Sequence, residues 1–502
     1  MTNALKQKKT TITCIILNTR NRNCNAFQVA VGVYLHSTNT PDKVISTLHH
    51  AGLSISQASI SRAIRSLSAE SLSSLSALGK DLLIAYAYDN FDVLLKASKP
   101  TVENNIDPLK HLTSGLVFTL QHGVQPEDLR VSANLWEKYQ YNDTSQSAHK
   151  VTRLQMWTAL VPRYNALAAA STTTPLSRNT EFKVYLLLHD LIEHGPDYFK
   201  NFHNMLQYPE PIEERIPINK TEIIPVQSMD ISNSTVEGNI KTIEKLLDQT
   251  GLAQLQEEQH TVKIDPYIIM FHGDLGTGER IHTAKRRKVI EATPRNRLQY
   301  VVFVMGLFHL KMACVETIWR VFLKDPKART EDQKSSFYSN FKILRPRDSS
   351  SLSTSFKFRP IHEAISHIGR CRRLDCWRTV LKKYGYSSLQ GFADKHPTWD
   401  HVKEIASVVV GELISNVGAL ASLQEDSLEN RDCEFENNFA FNLYAGMYEE
   451  ITYAMNHGDI GRVEMCLLQW VPLFEAVGKK KYAHQTLKLV YELNHVFPER
   501  MR

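Results

Sequence analysis

Along most of this chain apolar residues recur every three or four positions, the spacing that lines one face of a helix; only a few runs are continuous enough for buried strands. Residues 27–35 are apolar on one side and predict a first helix. Thr40 and Pro41 open a second that ends at Gly52. Ser54 or Ser56 then caps a third, residues 57–67, with Ile60, Ala63, Ile64 and Leu67 at helical spacing. Residues 82–88 form an apolar, aromatic run that reads as a buried strand ending at Asp89-Asn90-Phe91-Asp92. Further β-like pieces are residues 113–120 and 221–226. Helices are expected at 151–170, 181–206 and 235–250, the last closed by Gly251.

Residues 267–271 predict another strand, broken at 272–278 and followed by a basic helix over 279–292. After the apolar run 298–305, Gly306 opens an amphipathic helix through Leu323. The polar, Ser- and Lys-rich stretch 325–358 reads as a loop or linker. Helices then follow at 361–384, 399–423, 435–457, 462–477 and 482–496. The expected fold is mainly α with a small α/β element.

A chain of 502 residues exceeds one ordinary core. Four regions are expected: a helical, helix-turn-helix-like region at 1–75; an α/β core at 76–325 with a helical insertion at about 131–260; a linker at 326–359; and a helical domain at 360–502. The hydrophobic fraction of 42% and the charged fraction of 22% are those of a globular protein. No apolar run approaches the roughly 18 residues of a membrane span, and the polar, basic N-terminus contains no secretory segment. An intracellular protein, nuclear or cytoplasmic, is expected, so the sequons at Asn219 and Asn233 carry no weight. Seven cysteines without framework spacing point to free thiols.

The net charge of +6 is mild, but basic residues cluster at Lys285-Arg286-Arg287-Lys288, at Arg370, Arg372 and Arg373, and at Lys479-Lys480-Lys481. Each cluster is either a solvated face or part of a phosphate-facing surface. Leu48 through Ser54, followed by Ser59-Ile60-Ser61-Arg62, resembles a helix-turn-helix with Gly52 in the turn. Ser59 and Arg62 are then the residues facing a groove, with a plain helical hairpin as the alternative.

Asp89 and Asp274 each follow a predicted strand. Carboxylates at neighbouring strand ends hold Mg²⁺ or Mn²⁺, and paired ions serve phosphoryl transfer in RNase H-like cores. Spacing alone favours the plainer alternative, in which both aspartates cap turns, Asp274 beside three glycines. Gly273-Asp274-Leu275-Gly276-Thr277-Gly278 lacks the Lys-Ser/Thr of a phosphate loop. His362, His367, Cys371 and Cys376 have zinc-ligand chemistry, but one helix would scatter them around its cylinder. His309, at a helix start, is a candidate neighbour of Asp274. No nucleophile elbow, His-Glu-x-x-His or dinucleotide fingerprint is present.

Gly273-Asp274-Leu275-x-Thr277, Gly306-Leu307-Phe308-His309-x-Lys311-Met312 and Ile318-Trp319 together resemble an uncharacterised family, domain of unknown function 6589, abundant in fungi and associated with mobile elements. Tyr88-Asp89-Asn90-Phe91-Asp92, Leu374-Asp375-Cys376-Trp377, Gly458-Asp459-Ile460-Gly461-Arg462-Val463-Glu464 and Gly478 through Ala483 fit it too, so the likeness runs from about Asn25 to the last residue. The resemblance implies, by analogy with transposases, an RNase H-like core split by helical insertions. It also implies a third carboxylate beyond Arg502, with Glu450 and Glu464 as substitutes within the chain.

The leading expectation is a transposon-derived protein that binds DNA without a complete catalytic centre. The catalytic and metal candidates are Asp89 and Asp274, joined by His309 as a site residue. The nucleic-acid candidates are Ser59, Arg62, Lys285, Arg286, Arg287, Lys288, Arg372 and Arg373. A helical protein-interaction scaffold and an active Mg- or Mn-dependent transposase or nuclease are the two alternatives.

Overall fold

The computed structural model describes residues 3–79, 82–94, 109–146, 150–170, 176–253, 264–324, 336–414, 417–425, 427 and 429–501. The chain divides into two compact units: Met1–Thr119 with Glu222–Ile264 (unit 1), and Leu120–Thr221 with Asp265–Arg502 (unit 2). Unit 1 opens with α1 (Asn3–Arg20), α2 (Ala26–Ser37), α3 (Asp42–His50) and α4 (Gln57–Leu78), then β1 (Ile84–Leu94) and β2 (Leu109–Thr119). The chain supplies α5 (Ser132–Glu137), α6 (Arg153–Ala168) and α7 (Arg178–His194) to unit 2. It returns to unit 1 as β3 (Ile223–Pro225) and α8 (Val236–Gln249).

Unit 2 resumes with β4 (Ile269–Gly273), α9 (Leu275–Arg287), β5 (Val301–Met305) and α10 (Leu307–Phe322). Next come α11 (Phe337–Leu344), α12 (Ser349–Thr354), α13 (Phe358–Lys383), α14 (Leu389–Ala393) and α15 (Trp399–Leu413). The last helices are α16 (Val417–Leu423), α17 (Cys433–His457), α18 (Ile460–Ala476) and α19 (Lys480–Tyr491). The fold is thus mainly helical, with strands of mixed direction. No helix among the described residues is long and apolar enough to cross a membrane. All seven cysteines are free thiols.

In unit 1, Ile45, Ile55 and Ile60 make a small buried cluster under α2–α4, with Ile64 packed partly buried against it. Gly52 turns the chain at φ +74°, a left-handed conformation that glycine adopts without a steric penalty. The buried Gln28 holds this turn, its Nε2 donating to the Gly52 carbonyl at 3.0 Å. Ser56 caps α4, accepting from the Ser59 amide at 3.3 Å. The helix runs eleven residues past the expected end at Leu67, because its Ser-rich later turns bury Leu75. Gln227 Nε2 also donates to Ser68 Oγ on its exposed side at 2.5 Å.

Strand β1 pairs antiparallel with β2 from Ile84↔Thr119 through Leu94↔Leu109, and β2 pairs antiparallel with β3. Asp89 is therefore an exposed residue in mid-strand opposite Ser114, and the expected strand end at that position is not there. Buried Tyr86 and Tyr88 on β1 reach the α8 region, bonding Thr250 Oγ1 at 2.5 Å and Asn239 Oδ1 at 3.0 Å.

In unit 2, β4 and β5 run parallel in register Ile269↔Val301 through Gly273↔Met305, joined by α9. That helix starts four residues earlier than its basic stretch suggested, and Gly278 shows why. A Cβ there would lie 2.3 Å from the Phe303 ring, so glycine lets α9 cross β5 closely. The stretch read as a loop departs most from expectation. Residues 325–335 lie outside the described ones, but α11 and α12 follow. Ser336 caps α11, and Phe337 and Phe341, one turn apart, are fully buried. Phe337 stacks on Phe441 at 4.9 Å between ring centroids.

The junction of α17 and α18 sits in the largest core of unit 2. Arg462 is fully buried and donates to Asp459 Oδ2 and Glu450 Oε1, each at 2.9 Å, and to the Glu210 carbonyl at 2.9 Å. Asp459 in turn caps α18 and accepts from the Ile212 amide at 3.1 Å. Replacing Arg462 by Met should lower the unfolding free energy by about 3–5 kcal/mol, because it strands two buried carboxylates without a cation. Urea denaturation of the variant beside the parent chain measures this loss.

Candidate nucleic-acid interface

Residues 1–79 contain eight of the chain's 59 lysines and arginines but only two of its 53 acids, Asp42 and Glu70. The net charge of +6 is thus carried entirely by this segment, and the other residues are balanced. The eight cations are Lys6, Lys8, Lys9, Arg20, Arg22, Lys43, Arg62 and Arg65. All are exposed, and among the described residues none forms an ion pair. Gln57, Ser61, Arg62 and Arg65 project from the first turns of α4 into solvent. Ser59 does not join them: it is half-buried, its amide and hydroxyl both bonded to the capping Ser56. The link from α3 to α4, residues 51–56, is longer than the three or four residues of a tight helix-turn-helix.

The other expected basic sites are largely consumed by folding. Lys285 turns inward on α9 and donates to the Val301 carbonyl at 2.6 Å, with Tyr139 beneath it at 5.6 Å. Burial brings its ammonium down to about 8. Arg286 and Arg287 remain exposed, and Lys288 is the half-buried residue that ends the helix. Arg372 sits over the Phe441 ring, 4.3 Å from its centroid, its pKa lowered to about 10 by burial. Arg373 is buried between Asp190 at 2.6 Å and Glu449 at 2.5 Å. The phosphate-facing role expected of Arg372 and Arg373 is therefore corrected: residues far away in sequence enclose both guanidiniums. Lys479 and Lys481 pair with Glu316 and Glu279 at 2.6 and 2.8 Å.

Asp274 and His309 both lie at the carboxyl ends of the parallel strands, where open α/β sheets usually place ligands. The Gly306 amide donates to the Gly273 carbonyl at 3.2 Å, which ties the start of α10 to the end of β4. A Cβ on Gly306 would lie 3.2 Å from His309 Nδ1 and 3.4 Å from that same carbonyl oxygen, so the imidazole flanks the strand end. Tyr482 is close too: burial first, and then the charge of Asp274, push its phenol up to about 12. Asp274 itself is half-buried, and its Oδ1 accepts from the Thr277 amide at 2.7 Å as the cap of α9. Asp89 belongs to unit 1. Among the described residues there is no group of three or more His, Cys, Asp or Glu able to hold a metal ion. His362 bonds the Tyr448 hydroxyl at 2.6 Å and Cys376 contacts Asn442, both in the helical core.

The residues that sequence reading passed over are Lys6, Lys8, Lys9, Arg20, Arg22, Lys43 and Arg65. Charge counted by segment instead of by cluster is the signal that finds them. For Asp274, the cap predicts a specific ranking. Asp274→Ala should cost about 0.5–2 kcal/mol, whereas Asp274→Asn, an equally good cap, should keep most of that stability. Thermal unfolding of the two variants side by side checks it.

Searches of curated proteins and of solved structures returned no match. A profile described as a family of unknown function, DUF6589, matches residues 156–502. That region takes in the β4–β5 strand ends and the Arg462 junction, and it leaves α1–α4 outside. With well over half of its length matched, the chain belongs to the DUF6589 family of unknown function.

Proposed function

We propose that this protein binds nucleic acid, DNA in the first instance, through α1–α4 of unit 1. The observation that carries the proposal is the location of the whole net charge on eight exposed cations of residues 1–79, none paired with a carboxylate among the described residues. Lysines and arginines held in solvent are what displaces counterions from a phosphate backbone. Those of unit 2 mostly neutralise protein carboxylates or cover aromatic rings. Arg62 and Arg65, on the first turns of a capped helix after a glycine turn, are the groove-facing candidates. The proposal is for binding without strand cleavage. Asp274 caps a helix, Glu450 is bonded to Arg462, and Glu464 accepts from Arg163 at 2.9 Å, so these acids already have structural partners. Descent from a mobile element is part of the same proposal and rests on the resemblance alone.

A salt titration of binding to random-sequence duplex DNA tests it. Affinity should fall steeply with salt, and Arg62→Ala with Arg65→Ala should lower the slope of log K against log salt by about two. The melting temperature should not change, since both side chains are exposed. Binding that ignores salt, or a double variant with parental affinity and slope, would favour a protein-interaction scaffold instead.

A further inference from the structure

We infer that unit 2 contains a binding site for a small monocarboxylate with a short aliphatic body, held by the ammonium of Lys285. A cavity of about 130 Å³ lies between α9, β5, α19 and the segment that follows α5. A cavity of roughly 150 Å³ holds a benzene molecule, so a ligand of about six non-hydrogen atoms fits here. The walls are largely apolar, with Leu135, Met156, Ile281, Val302 and Phe303 among the lining residues.

The charged lining is unbalanced. Lys285 and Lys488 both line the cavity and both are partly buried, against a single lining carboxylate, Glu492. Glu492 pairs with Lys488 at 3.5 Å, and among the described residues Lys285 forms no ion pair. An ammonium has three N–H donors, and Lys285 uses one of them on the Val301 carbonyl at 2.6 Å. Lys138, the third lysine of the lining, is exposed and donates to the His495 and Val496 carbonyls at 3.4 and 3.1 Å. His282 adds no charge: burial, then Lys488 and Lys285, hold its imidazole well below the usual histidine range. Desolvated charges are ordinarily paired inside proteins. One cation is left over within this cavity, so the complementary ligand carries one negative charge and lays an apolar remainder against the walls. A phosphate or sulfate dianion matches neither the charge nor the walls.

The same groups fix how binding depends on pH. Around Lys285 stand His282 on its own helix, Lys138 and Tyr139 after α5, and His484, Lys488 and Glu492 from α19 and the turn beyond it. Burial raises the Tyr139 phenol and lowers both imidazoles, so these three keep their charge state from neutral to mildly alkaline pH. The Lys285 ammonium, brought down to about 8 by burial and then by Lys488, is lost across that window. Affinity for a carboxylate is therefore present below about pH 8 and fades above it. None of these observations involves the cations of residues 1–79, so the site stands or falls separately from nucleic-acid binding.

The probe is butyrate, titrated into the full chain and followed by NMR of the ligand, beside butyramide, which keeps the shape and loses the charge. Saturable binding of butyrate is expected at about pH 7, with butyramide weaker by roughly tenfold or more. Acetate, which lacks two buried methylenes, should be weaker than butyrate by about tenfold. Raising the pH to about 9 should cost butyrate about tenfold in affinity, following the protonated fraction of Lys285. Lys285→Met should abolish binding with a melting temperature at or above the parent's, because it removes a desolvated charge. The inference is overturned by no saturable binding, by equal affinity for butyrate and either butyramide or acetate, or by affinity that ignores pH. It is equally overturned by sulfate binding more tightly than butyrate, or by a folded Lys285→Met variant with parental affinity. The ligand comparisons and the pH series use the parent chain, so they decide the matter even if the variant fails to fold.

Discussion

A buried guanidinium organises unit 2. Arg462 is fully enclosed and is stable there only because Asp459, Glu450 and backbone carbonyls satisfy its donors. The glycines around it are consequences of that arrangement. Gly458 ends α17 at φ +67°, and a Cβ there would lie 2.2 Å from the Ile216 carbonyl oxygen. Gly461 meets the Ile212 carbonyl oxygen at the same distance. The segment around Ile212 is therefore strapped against the helix junction by Asp459, which accepts from its amide, and by glycines that leave it room. This accounts physically for the Gly-Asp-Ile-Gly-Arg line by which the chain resembles its family. Glu450 carries the arrangement further, since it bonds Arg462 while it is itself almost wholly buried. Burial pushes its carboxyl up to about 7 even against the attraction of the arginine.

Charge is used differently in the two units. In unit 2 several members of the arginine and lysine clusters are taken up by protein partners: Arg373 lies between two carboxylates, Arg372 over a phenyl ring, and Lys479 beside Glu316 and the Tyr482 ring at 4.7 Å. Such pairs and stacks keep desolvated cations satisfied and leave them little freedom to meet an external anion. The N-terminal helices of unit 1 have almost no acids with which to do the same. Their cations stay in water, where electrostatic attraction to a polyanion is available and depends on salt.

Helices with a continuous apolar stripe were legible from spacing alone, as α8, α17 and α18 show by matching their expected spans closely. The Ser-rich later turns of α4 and the whole of α11 were not, because their polar composition hides one or two deeply buried residues: Leu75, and the Phe337 and Phe341 pair. In β1 the polar run after Tyr88 resembled a strand end, but an antiparallel partner continued the ladder through it. The three glycines at Asp274 were legible as something other than a phosphate loop. That they open a helix required the Phe303 ring lying against Gly278.

The sequence by itself determined the helical fold class, the glycine turn at Gly52, the capping residues and the charge imbalance of residues 1–79, because each follows from neighbours a few positions apart. Tertiary structure decided which cations are free. Arg372 and Arg373 follow the exposed Cys371 in the chain, yet their partners Asp190, Phe441 and Glu449 lie far away in sequence. Periodicity records which side of a helix is buried; it carries no record of what that side will meet.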